Sequence, residues 1–290
     1  MQVPEHLFWE ALQELTGGTP RSVSYLPVSG GSINKCFQIR TDAHYFFLKW
    51  QDAAAYPDLL KKEATGLELL RQHFKGYIPE VLHRDADEQH EVLIMEWIHS
   101  GKQDEMAFTT LGEQLASMHL QQGGAFGLDH DNYMGALEQQ NQACTDFPSF
   151  YITRRLEPLI KKAVDTGVLS SNSHRQLERL GRRLPEMVPD EFPSLIHGDL
   201  WSGNVMVNNR QEPVLIDPAV AWSHRECDIA MTALFGGFPD AFYSAYQNTY
   251  PLVPGWKQRI SLFQLYPLLV HALLFGGTYV RDVQHQLSVY

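Results

Sequence analysis

The chain has 290 residues and a mass of 33.1 kDa, enough for one large domain or two lobes of ordinary size. Hydrophobic residues make up 44% and charged residues 20%, which excludes a disordered chain. The excess of 34 Asp+Glu over 23 Lys+Arg, a net charge of −11, argues against nucleic acid as a partner, because its binding relies on a cationic footprint.

Met1-Gln2-Val3-Pro4-Glu5 has no basic start followed by an apolar run, so no secretory signal is expected. Pro4 to Leu15 reads as a helix, closed by Gly17-Gly18. Three strands follow, Ser22–Val28, Ile33–Arg40 and His44–Trp50, separated by Gly30-Gly31 and by Thr41-Asp42-Ala43, as in an antiparallel meander. Pro57 to Phe74 has helical periodicity, with Leu60, Ala64, Leu67 and Phe74 on one stripe. Glu91–Trp97 is a further strand, and from about His99 the pattern is mostly helical. The expected fold class is therefore α+β and bilobal. An antiparallel-sheet lobe (1–98) precedes a larger, mainly helical lobe (99–290), with the join near Glu96-Trp97-Ile98-His99.

Ile260 to Val280 is apolar but carries Gln264, Pro267 and His271, so it reads as a buried helix and no membrane span is expected. Cys36, Cys144 and Cys227 include no CxxC pair. Reduced thiols, a cytoplasmic location and no structural zinc are the expectation.

Lys49 lies in the apolar run Tyr45-Phe46-Phe47-Leu48-Lys49-Trp50, where a buried cation needs a partner. Glu63 is on the apolar stripe of the next helix, three residues after Leu60 and four before Leu67. A snorkelling lysine and an edge-of-stripe glutamate would account for each residue alone. Together they suggest a strand lysine paired with a helix glutamate, the pair that positions nucleotide phosphates in kinases. Gly30-Gly31-Ser32 stands where a phosphate-covering loop belongs, although a bare Gly-Gly also makes an ordinary hairpin turn. The crossover Glu96, Trp97, Ile98 and His99 is placed by topology to offer backbone groups to an adenine edge.

The densest signal is His197-Gly198-Asp199-Leu200-Trp201-Ser202-Gly203-Asn204, followed by Asp217 at the end of an apolar run, Pro213–Ile216. Kinase-type phosphoryl transfer needs an Asp to accept the hydroxyl proton and an Asn and a second Asp to hold magnesium, in that order. Gly203 lets Asp199 and Asn204 turn toward one point, and a strand-turn-strand hairpin returns Asp217 to the same mouth. A competing arrangement would make His197, Asp199, Asp217 and His224 a metal-hydrolase cluster, but it leaves Lys49, Glu63 and Asn204 without a role. Arg225-Glu226-Cys227-Asp228 reads as a charged turn opening a helix over Ile229–Leu234. Asp228 is expected as its N-cap and as a brace for the catalytic loop.

HGDLWSGN, the IDPA of Ile216–Ala219 and HRECDIAM from His224 to Met231 resemble the fructosamine kinase family, in the aminoglycoside- and choline-kinase-like branch of the protein-kinase fold. The resemblance extends to Gly30-Gly31, Phe47–Lys49, Glu63-Ala64, Leu115–His119, Phe126-Gly127 and Phe150-Tyr151. It continues through Arg155–Pro158 and Leu274–Gly277. It implies Asp199 as proton acceptor, Asn204 and Asp217 as magnesium ligands, Lys49 braced by Glu63 on the phosphates, and Trp97 to His99 along the adenine. It also implies ATP and Mg2+ as cofactors and a small-molecule or protein-bound ketoamine as acceptor. Trp201 would pack against the sugar or anchor the loop. Two positions depart from the family pattern: Val270, where a polar Asn is expected, and Gly31-Ser32-Ile33-Asn34, which has no acidic residue. A kinase for an aminoglycoside, choline or another amino-alcohol, or a catalytically silent kinase-like module, would have the same fold.

Overall fold

The computed structural model describes residues 3–28 and 34–290. Gly30, Gly31 and Ser32 lie outside the described residues. The first segment is not one helix: a 3-10 turn at Glu5–Leu7 precedes α1, Trp9–Thr16, with Phe8 at the break. Gly17 closes α1 in the left-handed conformation that glycine adopts without strain, its φ being 74°. β1 (Val23–Pro27), β2 (Lys35–Thr41) and β3 (Tyr45–Asp52) form the expected antiparallel meander.

α2 spans Leu59–His73, then β4 (Val81–Ala86) and β5 (His90–Glu96) complete a sheet of order β1-β2-β3-β5-β4. The strand β4 was not apparent from the sequence. It sits at the sheet edge with three of its residues exposed, so its apolar pattern is faint. Strand alternation sends Phe46, Leu48 and Trp50 to one face, where they pack with Leu7, Phe8 and Leu12. The intervening Lys49 thus faces the side of the sheet that α2 covers.

α2 is held at its start from across the sheet. Its N-cap Asp58 makes no side-chain cap, and the buried Glu91 of β5 accepts from Leu60 N and Lys61 N at 3.0 and 2.8 Å. A carboxylate at a helix N-terminus satisfies orphan amides and complements the helix dipole. Leu60, Ala64 and Leu67 of α2 share one apolar core with Leu93 and Met95 of β5 and with Leu111, Leu115 and Val220 beyond the crossover. Residues from both sides of 98/99 therefore pack together.

The remainder is mainly helical. α3 (Glu105–His119) is followed by the hairpin of β6 (Asn132–Met134) and β7 (Leu137–Gln139), then by α4 (Phe147–Phe150), a π-helical turn at Tyr151–Leu156, α5 (Glu157–Asp165) and α6 (Asn172–Met187). Short strands β8 (Ser194–Ile196), β9 (Val205–Val207), β10 (Pro213–Leu215) and β11 (Ala221–Ser223) frame the HGDLWSGN loop. β9 pairs with β10, and β8 with β11, both antiparallel. α7 (Glu226–Thr232), α8 (Asp240–Thr249), α9 (Trp256–Phe275) and α10 (Thr278–Val289) complete the chain.

α9 is the apolar helix expected near Ile260–Val280, and it runs through Pro267. Proline lacks the N–H that would bond the Phe263 carbonyl. The Tyr151 hydroxyl donates there at 3.3 Å and to the Leu262 carbonyl at 2.8 Å. Among the described residues no helix is long and apolar enough to cross a membrane.

Candidate active site

Lys49, Glu63, Asp199, Trp201, Asn204 and Asp217, predicted from widely separated segments, all line one cleft of about 170 Å3. The crossover residues Glu96, Trp97, Ile98 and His99 are not in its lining. The Glu96 carboxylate accepts from Tyr77 OH and Glu80 N, both at 2.8 Å. Trp97 packs on Phe47 and His99 edge-on against Tyr45, with ring centroids 6.3 and 5.7 Å apart.

Lys49 Nζ donates to Glu63 Oε1 at 2.7 Å, the pair expected from strand alternation and helix stripe. It also donates to Asp217 Oδ1 at 2.5 Å, a contact the sequence did not reveal. Burial penalises the ammonium, but Asp217 and Glu63 more than offset this and keep Lys49 protonated. Burial raises Glu63 to about 7 against the pull of Lys49.

The hairpin β9–β10 separates Asn204 from Asp217 in sequence and brings them back together, with Ile216 N donating to the Asn204 carbonyl at 3.1 Å. Asp217 itself is left-handed, φ 54°, a strained conformation for a residue with a Cβ. Asn204 Nδ2 donates to the Asp199 carboxylate and carbonyl, each at 2.9 Å. Burial and then the neighbouring Asp217 charge raise the Asp199 carboxyl to about 7, although the Asn204 bond opposes them. A carboxylate with proton affinity near neutral pH is suited to general-base work.

His197 has a supporting role. Its buried ring donates from Nε2 to the Ile216 carbonyl at 3.0 Å and accepts from Asp199 N through Nδ1. This fixes one tautomer and ties the Asp199 loop to the residue before Asp217. His224 is buried elsewhere, between Phe147 and Phe263, and donates to the Pro189 carbonyl. The metal-hydrolase cluster therefore does not form. Among the described residues no group of three or more His, Cys, Asp or Glu side chains is placed to hold a metal ion.

Gly198 has φ 85°, and a Cβ there would lie 2.0 Å from the Ala219 carbonyl oxygen. The loops before Asp199 and after Asp217 close on each other through this contact and through Ala219 N to the His197 carbonyl, 2.9 Å. Beneath them, Asp228 accepts from His197 N and Gly198 N at 2.7 and 2.8 Å and lies 3.2 Å from His119 Nε2, whose Nδ1 meets Tyr246 OH. The expected brace is present, but Asp228 is not the N-cap. α7 begins at Glu226, so Asp228 lies inside its first turn, while Arg225 pairs with Glu191 and Glu226 with Arg259.

Trp201 is half-buried against Phe235, with ring centroids 5.7 Å apart, and covers Gly203, where a Cβ would lie 2.3 Å from its ring. It both anchors the loop and lines the cleft. Cys36 lines the cleft too, and burial raises its thiol to about 11, so it is not a reactive thiolate. Sequence reasoning missed Asn34, Lys62, Tyr133, Leu274, Phe275 and His271 as cleft-lining residues. The four-residue spacing of Pro267, His271 and Phe275 was the available signal for the last two.

The family model for fructosamine kinase matches residues 6–290. The chain belongs to the fructosamine kinase family. A Lactiplantibacillus plantarum protein named as a probable ketoamine kinase is 40% identical over 268 residues, 91% of this chain and 93% of the relative. Two solved structures named for fructosamine-3-kinase are also similar. The one from Haemophilus somnus has a TM-score of 0.89 at 27% identity, covering 98% of this chain and 96% of the other. The one from Thermobifida fusca has a TM-score of 0.83 at 36% identity, covering 96% of each. An aminoglycoside phosphotransferase at 17% identity, TM-score 0.61, shares the bilobal kinase-like fold. This chain is a phosphotransferase enzyme.

Proposed function

We propose that this phosphotransferase transfers the γ-phosphoryl group of ATP to a sugar hydroxyl of a ketosamine, the adduct of a reducing sugar with an amine. The observation that supports it most strongly is the convergence of Asp199, Asn204 and Asp217 with the Lys49–Glu63 pair in one cleft. The names of the relatives, ketoamine kinase and fructosamine-3-kinase, support the acceptor class.

In this reading Asp199 receives the proton of the attacking hydroxyl. Asn204 holds one of its carboxylate oxygens, leaving the other to orient that hydroxyl. The new bond joins the sugar oxygen to phosphorus, the bond to the ADP oxygen breaks, and the proton resides on Asp199. Lys49, braced by Glu63, binds the phosphates, and the backbone of Glu96 to His99 meets the adenine. Trp201 packs on the sugar.

The residues present suit a magnesium ion. Asn204 binds Asp199 through its amide nitrogen, so its oxygen remains for a cation, and Asp217 engages Lys49 through one oxygen only. The carboxylates of Glu63 and Asp217 face a single buried ammonium, with Asp199 beside Asp217, a surplus of negative charge that a hard divalent cation completed by phosphate oxygens would balance. When bound, such an ion neutralises charge developing on the phosphates.

A phosphate next to the ketoamine carbon leaves far more readily than hydroxide. Phosphorylation would therefore let the adduct decompose and free the amine, a deglycation role, and the free cysteines fit a cytoplasmic setting. The test is a panel of fructosamines, ribulosamines, choline and aminoglycosides with purified protein and Mg-ATP. Transfer fastest to a ketosamine is expected, and faster transfer to choline or an aminoglycoside would replace the proposed acceptor class.

A further inference from the structure

One wall of the cleft belongs to α9, through Val270, His271, Leu274 and Phe275. Tyr266, four residues before Val270, is buried close enough to Asp199 for that carboxylate to be among the charges acting on its phenol. Tyr266, Val270 and Leu274 therefore form an i, i+4, i+8 stripe leading about 12 Å along the helix from the neighbourhood of Asp199. Of the α9 residues lining the cleft, His271 alone is polar.

Its ring has a defined tautomer. His271 Nδ1 lies 2.8 Å from the Pro267 carbonyl, which only accepts, so Nδ1 carries the hydrogen and the neutral ring keeps a lone pair on Nε2. Among the described residues no protein group bonds that Nε2. Phe235, Tyr279 and Phe275 hold the ring, with centroids 4.8, 5.1 and 5.5 Å away. Burial also disfavours its protonation.

We infer that this wall is the subsite for the amine half of the acceptor: His271 Nε2 accepts a hydrogen bond from the ketosamine's secondary ammonium, and Val270, Leu274 and Phe275 receive an apolar substituent on that nitrogen. The inference rests on the ketosamine-kinase reading and adds a substrate preference to it. A carboxylate on the amine half would find no cation on this wall. Lys62, which also lines the cleft, comes from α2 and is held 4.7 Å over the Tyr133 ring. The excess of carboxylates near Lys49 further disfavours an anionic substituent. Phe275 is 55% exposed at the rim, so it can be replaced with little cost to the core.

The experiment compares two adducts of one ketose, made with benzylamine and with glycine, by kcat/KM in Mg-ATP. The benzylamine adduct is expected to be preferred about tenfold, and Phe275→Ser to remove most of that preference. His271→Ala is expected to raise the ketosamine KM about tenfold with the KM for ATP unmoved. His271→Gln, which supplies an amide oxygen near the Nε2 position, should recover part of the loss. The unmoved KM for ATP shows that each variant is folded. Equal kcat/KM for the two adducts, or an unchanged ketosamine KM in His271→Ala, would overturn the subsite while leaving the kinase reading intact. Failure of the wild-type protein to phosphorylate either adduct would overturn both.

Discussion

Replacing Asp199 by Asn should abolish most of the activity and, at alkaline pH, make the protein more stable. The Asp199 carboxyl is raised from 3.8 to about 7, first by burial and then by the charge of Asp217. Ionising it in the folded state therefore costs more than in the unfolded chain, nominally about 4 kcal/mol. The carboxyl faces a cleft that water enters, so on the order of 1–2 kcal/mol remains after screening. The sign follows from proton counts. Between the two values the folded state holds the proton more tightly, so wild-type stability falls as pH rises through this window, and the penalty is complete above about 7. Asn is nearly isosteric, can still accept from Asn204, and does not titrate. Thermal unfolding without nucleotide or metal should give Asp199→Asn a melting temperature about 2–3 °C above wild type at pH 8.5, with a smaller gain at pH 5.5. Phosphoryl transfer should fall about 10²–10⁴-fold. A variant less stable than wild type at pH 8.5, or one retaining more than a tenth of the transfer rate, would refute the reasoning.

Other substitutions probe the supports of the site. Lys49→Met leaves Glu63 and Asp217 without their shared cation, and should destabilise the fold by about 3 kcal/mol at neutral pH. Chemical denaturation should show that deficit shrinking at acidic pH as Glu63, already raised to about 7 by burial, protonates. Asp228→Asn turns one of the two oxygens that accept from His197 N and Gly198 N into a donor and leaves that amide unpaired, so kcat should fall at least tenfold and stability by about 2 kcal/mol, with nucleotide affinity retained in calorimetric titration. Gly198→Ala places a methyl 2.0 Å from the Ala219 carbonyl at a positive φ, and soluble yield should collapse, whereas Gly124→Ala, with open space around it, should express normally.

What the sequence disclosed and what it did not divide along a physical line. Periodicity acts within a segment, so alternation placed Lys49 on one face of β3 and the 3.6-residue repeat placed Glu63 on the stripe of α2. Their meeting at 2.7 Å follows from the two patterns together. The spacing of Asp199, Asn204 and Asp217 was legible because a short loop and one hairpin carry all three. Contacts between segments distant in sequence leave no such trace. Glu91 supporting the start of α2 from the sheet, Lys49 reaching Asp217 across 168 residues, and His119 joining Asp228 to Tyr246 all depend on the assembled fold. The break at Phe8 and the edge strand β4 were missed because short, half-exposed elements carry weak patterns.

The most direct test of the account is a single-turnover reaction of wild-type protein with γ-labelled ATP and a fructosamine or ribulosamine, with and without magnesium. The account predicts that the label appears on a sugar hydroxyl of the ketosamine, only when magnesium is present, at a rate that Asp199→Asn lowers at least a hundredfold. ATP bound and retained without transfer to any ketosamine, or label moving at the same rate in Asp199→Asn, would contradict it.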